Sequence, residues 1–117
     1  MRDKLLAMLG LARRAGKLYA GYDLCVEKIR AGQVALAAAA EDISDKTFKN
    51  LLFEAERKGV KTIRLSAKME EIGKACGVRA GIAVITDNGF AEAVMRLYED
   101  RDRNKEEQCN DDKIQST

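Results

Sequence analysis

The 117-residue sequence contains no histidine, no proline and no tryptophan. The missing histidine excludes Ser-His-Asp and Cys-His catalytic units and every His-ligated zinc or haem site. The missing proline excludes polyproline segments and X-Pro bonds, the usual home of a cis peptide. Aromatic residues are only 5%, so a core must be built from aliphatic side chains and alanine. No apolar run approaches the ~20 residues of a membrane-spanning helix. Met1-Arg2-Asp3-Lys4 opens an amphipathic stretch rather than the apolar core of a signal peptide. The expectation is a cytoplasmic protein with no membrane partner. Three cysteines, Cys25, Cys76 and Cys109, form an odd set without a CxxC spacing. That argues against a disulfide framework and a metal site. Cys25 and Cys76 sit in amphipathic patterns and read as small buried hydrophobes, and Cys109 reads as an exposed thiol in a polar tail.

What is present suits one globular domain, with 34% charged and 46% hydrophobic residues. The net charge of +2 conceals an uneven spread. Residues 1–34 carry seven basic and three acidic side chains, residues 35–98 ten and nine, and residues 99–117 four and seven. A basic body over 1–98 followed by an acidic tail over 99–117 points to a polyanion partner, although short acidic tails also serve solubility alone.

Apolar spacing and glycine punctuation divide the body. Arg2 to Ala15 reads as a helix stopped by Gly16, and Lys17 to Ala20 as a short strand. Tyr22 to Ala31 reads as a helix that buries Cys25, Val26 and Ile29 and closes at Gly32. The run Val34 to Ala40 has the helix propensity of alanine but the length of a buried strand, and is assigned as a strand. Ser44 or Asp45 caps a helix carrying Phe48, Leu51, Leu52 and Ala55, and Val60 to Leu65 follows as a strand. Ser66 is the expected cap of a helix with Met69, Ile72, Gly73 and Cys76 inward, ended by Gly77. Ala80 to Thr86 is a strand, and Asp87 or Asn88 caps a last helix with Phe90, Val94 and Leu97. Beyond Tyr98 the periodicity stops and disorder is expected. A helix followed by four strand–helix pairs predicts a three-layer α/β/α sandwich around a four-stranded sheet.

Catalytic constellations are weak. Gly10 to Lys17 resembles a phosphate loop, but five residues separate Gly10 from Gly16 and Leu18 stands where Ser or Thr belongs. Glu41, Asp42 and Asp87 follow strands, where ligands often bind; helix capping and loop solvation explain them as well. The stronger lead is basic. Arg13, Arg14 and Lys17 precede Gly21, where a helix starts. A helix N-terminus offers free N–H groups to phosphate, glycine permits close approach, and Tyr22 is placed to stack on a base or to pack on a neighbouring loop. An ordinary strand–helix turn beside solvated cations fits these residues equally. The glycine-bounded loop Val78-Arg79-Ala80 is a second candidate. Like the Gly16-Lys17 junction it precedes a strand, so the two are candidates for related edges.

Several segments together carry a resemblance. Ala12-Arg13-Arg14-Ala15-Gly16-Lys17-Leu18-Tyr19-Ala20-Gly21 resembles the ARxxGKxxxG stretch of the kink-turn RNA-binding ribosomal proteins, the L-seven-Ae and L-thirty-e superfamily. Ala40-Glu41-Asp42, Ile72-Gly73-Lys74-Ala75-Cys76-Gly77 and Ala83-Val84-Ile85-Thr86-Asp87 resemble further segments of that family in order. The likeness spans about residues 3–98 and is nearest to the bacterial YlxQ-type branch. It implies an α/β/α sandwich with a mixed sheet, no catalysis, no metal and no cofactor. It also implies that RNA docks at the helix opening at Gly21 and on the loop before the last strand. Three positions depart from the pattern. Asp23 and Leu24 stand where the family has an Asn-Glu pair, and Glu27 replaces a Lys, with Lys28 adjacent. A carboxylate at Asp23 faces phosphates unfavourably, and Leu24 cannot accept a hydrogen bond from a guanine edge.

The sequence therefore leads to a non-catalytic, ribosomal-protein-like RNA-binding protein that acts in ribonucleoprotein with ribosomal, kink-turn or other structured RNA. The expected RNA-binding residues are Arg13, Arg14, Lys17, Gly21, Tyr22, Asp23, Lys28, Glu41, Lys74, Val78, Arg79 and Ala80. The alternative is a protein-interaction module or homo-oligomeric scaffold of the same fold that binds no RNA.

Overall fold

Capping chemistry sets the elements of the computed structural model, which describes residues 2–77 and 80–99. Helix α1 (Arg2–Arg14) ends on two arginines, the favourable charge for a helix C-terminus. Strand β1 (Leu18–Ala20) leads through Gly21 into α2 (Tyr22–Arg30). Strand β2 (Leu36–Ala39) precedes α3 (Asp45–Arg57), whose cap is Ser44: its Oγ accepts from the Thr47 N–H at 3.1 Å. Strand β3 (Lys61–Arg64), α4 (Met69–Cys76) and β4 (Ile82–Ile85) follow. A last helix, α5, covers residues 88–99. Asp87 caps it by accepting from the Phe90 N–H at 2.9 Å. Gly77 ends α4 in the left-handed region at φ 80°, a conformation glycine adopts without strain.

One expected cap is corrected. Helix α4 starts from Lys68, not Ser66. The carbonyl of buried Ala67 accepts from the Glu41 N–H at 2.9 Å, so the chain stays engaged with the loop after β2 until Met69. Lys68 has no acceptor to offer. Glu71 instead accepts from the Lys68 N–H, and Asp42 from the Met69 N–H, each at 3.0 Å.

The strand order is β1-β4-β2-β3, with β4 antiparallel to both β1 and β2 and β2 parallel to β3. The sheet is therefore mixed, as expected. Helix α1 packs on α4, and α2 on α3. Side chains alternate between the two faces of a sheet. The register consequently places Leu18, Leu36, Ala38, Ile63, Ala83 and Ile85 on one face, and Tyr19, Ala37, Ala39, Arg64 and Val84 on the other. The second face is the one under α2 and α3, because Tyr19 meets Lys28 of α2 and Arg64 meets Phe48 of α3. All four residues of β2 and of β4 are buried. Small alanines in the middle of β2 let helices pack close on both sides. No helix among the described residues is long and apolar enough to cross a membrane.

The register also defines the two ends of the sheet. Leu18, Ile85, Leu36 and Lys61 form one terminal row, and Ile82, Ala39 and Arg64 lie in the row at the other end.

Candidate nucleic-acid interface

At the end where β1 and β2 finish and β4 begins, Gly21 turns the chain into α2 with φ 105°. That backbone conformation strains any residue with a Cβ. The Gly21 N–H donates to the Ile82 carbonyl at 3.0 Å, and the Gly21 carbonyl accepts from Cys25 at 2.9 Å. Glycine has no side chain to cap α2, and no side-chain cap bond is made. The first-turn N–H groups of α2 therefore keep their partial positive charge beside an opening. That opening is a cavity of about 250 Å³. Tyr22, Ile43, Met69 and Ile82 give it apolar walls, and Asp42, Ser44 and Thr47 give it polar ones. Tyr22 is 37% exposed.

The walls are held firmly. Arg64, at the end of β3, donates from Nη2 to the carbonyls of Glu41 at 3.0 Å and Ile43 at 3.2 Å. Its guanidinium lies 4.8 Å from the Phe48 ring centroid, and Nη1 lies 3.9 Å from Asp45. The Ala40 N–H donates to the Gly81 carbonyl at 2.8 Å. Glycine at 81 leaves room for the wall: a Cβ there would lie 3.1 Å from Met69 Sδ and closer still to Ile43 Cγ2, so those side chains would have to shift.

These bonds define what the site can do chemically. Asp42 spends a carboxylate oxygen on the N-terminus of α4, and Ser44 spends its hydroxyl on α3. Beneath the site, Cys25 donates its thiol to the Tyr19 carbonyl at 3.3 Å and more weakly to that of Ile82 at 3.7 Å. Burial pushes this thiol up to about 12, so it is protonated at neutral pH and a poor nucleophile. Burial also raises Cys76, against the opposing charge of Arg13. Both are the buried hydrophobes that the pattern suggests; Cys109 lies outside the described residues. Among the described residues, no three Cys, Asp or Glu side chains converge as metal ligands would. The arrangement offers shape, apolar surface and helix-terminal N–H groups.

The structure divides the sequence candidates between two ends of the sheet. Gly21, Tyr22, Asp23, Glu41 and the buried Ala80 lie around or beside the cavity end. Arg13, Arg14 and Lys17 lie at the opposite end, where the Lys17 carbonyl accepts from the Thr86 N–H at 2.9 Å. Ala80 and the Gly16-Lys17 junction are thus not on related edges. Strands β1 and β4 run antiparallel, so the junctions that precede them must sit apart. Lys28 lies between the ends on α2, with Nζ 4.5 Å from the Tyr19 ring centroid. Lys74, on α4, is exposed and lies 3.9 Å from Glu70. Val78 and Arg79 fall outside the described residues. Sequence reasoning missed Ile43, Ser44, Thr47 and Gly81 as cavity wall, and it read Met69 as core. Only Gly81, beside the candidate loop, carried a signal that could have been followed.

This fold and site define a class: an α/β/α sandwich with one mixed four-stranded sheet and a glycine-opened helix beside a cavity at one end of that sheet. The chain belongs to the Ribosomal protein L7Ae/L30e/S12e/Gadd45 family, whose profile matches residues 3–95. It is 33% identical over 98 residues to the RNA-binding protein YlxQ of Enterococcus faecium, covering 84% of this chain and 94% of that one. To the RNA-binding protein YlxQ of Bacillus subtilis strain 168 it is 31% identical over 93 residues, covering 79% and 92%. Among solved structures, a protein with unknown function from Bacillus halodurans superposes with a TM-score of 0.78 at 28% identity, covering 82% of this chain and 97% of that one. The Giardia lamblia 15.5kD RNA binding protein has the same fold, with a TM-score of 0.67 at 22% identity, covering 81% and 85%.

Proposed function

We propose that this protein is a non-catalytic, ribosomal-protein-like RNA-binding protein that acts on structured RNA, with kink-turn or ribosomal RNA as the expected class. The single observation that carries the proposal is the uncapped N-terminus of α2 at Gly21, open beside a cavity with Tyr22 on its rim. Backbone N–H groups there suit a phosphate or a base acceptor, and the Tyr22 ring suits an unstacked base. Membership of the family and the names of the two YlxQ relatives support the same reading. Leu24, 37% exposed on the first turn of α2, adds apolar contact where the family pattern has a hydrogen-bonding side chain.

Crosslinking the protein to RNA in cells and sequencing the attached fragments tests the proposal. Recovery of one or a few structured RNAs is expected, and Tyr22→Ala should weaken binding to them about tenfold, the effect of removing one stacked ring. A purified protein free of nucleic acid that also retains no RNA at low salt would favour the protein-interaction module instead.

A further inference from the structure

The two ends of the sheet differ sharply in charge. At the cavity end the described side chains include Asp23, Glu41, Asp42, Asp45, Glu70 and Glu71, against Lys46, Arg64, Lys68 and Lys74, the last of them 3.9 Å from Glu70. At the other end lie Arg14, Lys17, Arg57, Lys58 and Lys61, with Arg13 half-buried among them. Few acids oppose them. Glu54 is engaged with Arg30, Asp87 caps α5, and Glu56 is exposed beside Arg57. Arg14, Lys17, Lys58 and Lys61 form no ion pair with any described carboxylate.

The origin is topological. Helices α1, α2 and α3 all finish at the row Leu18, Ile85, Leu36 and Lys61, and basic residues occupy their last turns. Helices α2, α3 and α4 start at the cavity end and carry acids in their first turns. Each choice complements its own helix dipole. Because these helices run the same way, the choices add. The dipoles oppose the side chains by only about half a charge per helix end, too little to cancel an excess of several full charges. The groove of about 450 Å³ beside Lys61 adds Glu92 and Glu99 against Arg96, which reduces the excess but leaves this end basic.

An RNA bound only at the cavity end would meet helix termini among carboxylates. We infer that the RNA also lies across the opposite end of the sheet. There its phosphates meet Arg14, Lys17, Lys58 and Lys61, and this end supplies most of the electrostatic attraction. The terminal row is about 14 Å wide at the usual strand spacing, and the two terminal rows are about 10 Å apart along the strands. Lys28, over Tyr19 on the edge strand, lies on the path between them. The inference rests on the RNA-binding reading above.

The test measures binding of an internal-loop RNA hairpin as a function of salt for three charge-reversal pairs. Arg14→Glu/Lys17→Glu and Lys58→Glu/Lys61→Glu alter the basic end at two separate places. Lys46→Glu/Lys68→Glu makes the same charge change at the cavity end. Far-ultraviolet circular dichroism and thermal melts confirm that each variant is folded. Both basic-end pairs should flatten the dependence of log K on log salt, by roughly 0.7–0.9 for each phosphate no longer neutralised. The cavity-end pair should change it less. RNA bound by the wild type, with equal slopes for all three pairs or a loss confined to the cavity-end pair, would overturn this inference alone. A wild type that binds no RNA would overturn the RNA-binding reading itself, and this inference with it.

Discussion

Arg30 on α2 grips Glu54 on α3 through two hydrogen bonds, Nε to Oε1 at 3.1 Å and Nη2 to Oε2 at 2.8 Å. The fork matches the carboxylate plane and ties together the two helices that cover one face of the sheet. Arg30 remains well exposed while Glu54 is largely covered, so water screens the pair from one side only.

This pair gives the stability a predictable acid limb. The hydrogen bonds from Arg30 hold the Glu54 carboxyl below its ordinary value of 4.5, against the opposing effect of burial. A carboxyl with a lowered folded pKa stabilises the fold above its unfolded pKa, and the contribution fades as pH falls through the folded value. Glu54→Gln should therefore melt below wild type at neutral pH, and the gap should narrow on acidification below the ordinary carboxylate range. Thermal melts across that range check it; a gap independent of pH would contradict it.

A second prediction concerns the contact between α1 and α4. A methyl at Gly10 would sit 2.7 Å from the carbonyl oxygen of Ala75, a backbone atom with no freedom to swing aside. Overpacking of this kind costs about 1–3 kcal/mol, while the better helix propensity of alanine offsets about 1 kcal/mol of it. Gly10→Ala should be destabilised by about 1 kcal/mol, and by no more than about 2 kcal/mol, in urea denaturation. A neutral or stabilised variant would mean that α1 shifts freely over α4.

Asp42 separates capping from ligand chemistry. Its carboxylate accepts from the Met69 N–H, and loss of such a cap costs about 1 kcal/mol. Asp42→Ala should lower stability by about that amount, whereas Asp42→Asn keeps an acceptor and should lose only a few tenths. Chemical denaturation of the two variants decides; an Asn variant as unstable as the Ala variant would show that the charge, not the hydrogen bond, matters.

The last prediction concerns residues 100–117, which carry six acidic and four basic side chains. On the RNA-binding reading proposed above, their excess carboxylates are expected to compete with RNA phosphates for the basic end. Ending the chain after Glu99 should tighten RNA binding at low salt and leave it little changed at high salt, where exposed charges are screened. Equal affinities at low salt would make the segment a bystander.

The order of elements was legible because glycine punctuation and 3.6-residue spacing are local signals. Phe48, Leu51 and Ala55 announce α3 without any tertiary knowledge, and the alanine run shows itself as a strand by its length. What stayed hidden is non-local. Ser66 looks like a cap from its neighbours alone, and the bonds of Ala67 with Glu41 and of Met69 with Asp42 explain why the helix waits for Met69. Nothing near Lys17 or Ala80 in the chain reveals that the strands following them run in opposite directions. The candidate residues were therefore named as one group although the fold divides them. Asp42 could not be told from a catalytic carboxylate until its partner across the loop was visible.

Parallel helices with matched termini make this small domain an electric dipole, with its positive pole at the row from Leu18 to Lys61 and its negative pole around the cavity. A polyanion in solution exerts a torque on such a molecule before any contact forms. On the RNA-binding reading proposed above, the domain is expected to arrive turned, positive pole first. Ionic strength should act first on how fast a complex forms and only second on how long it lasts.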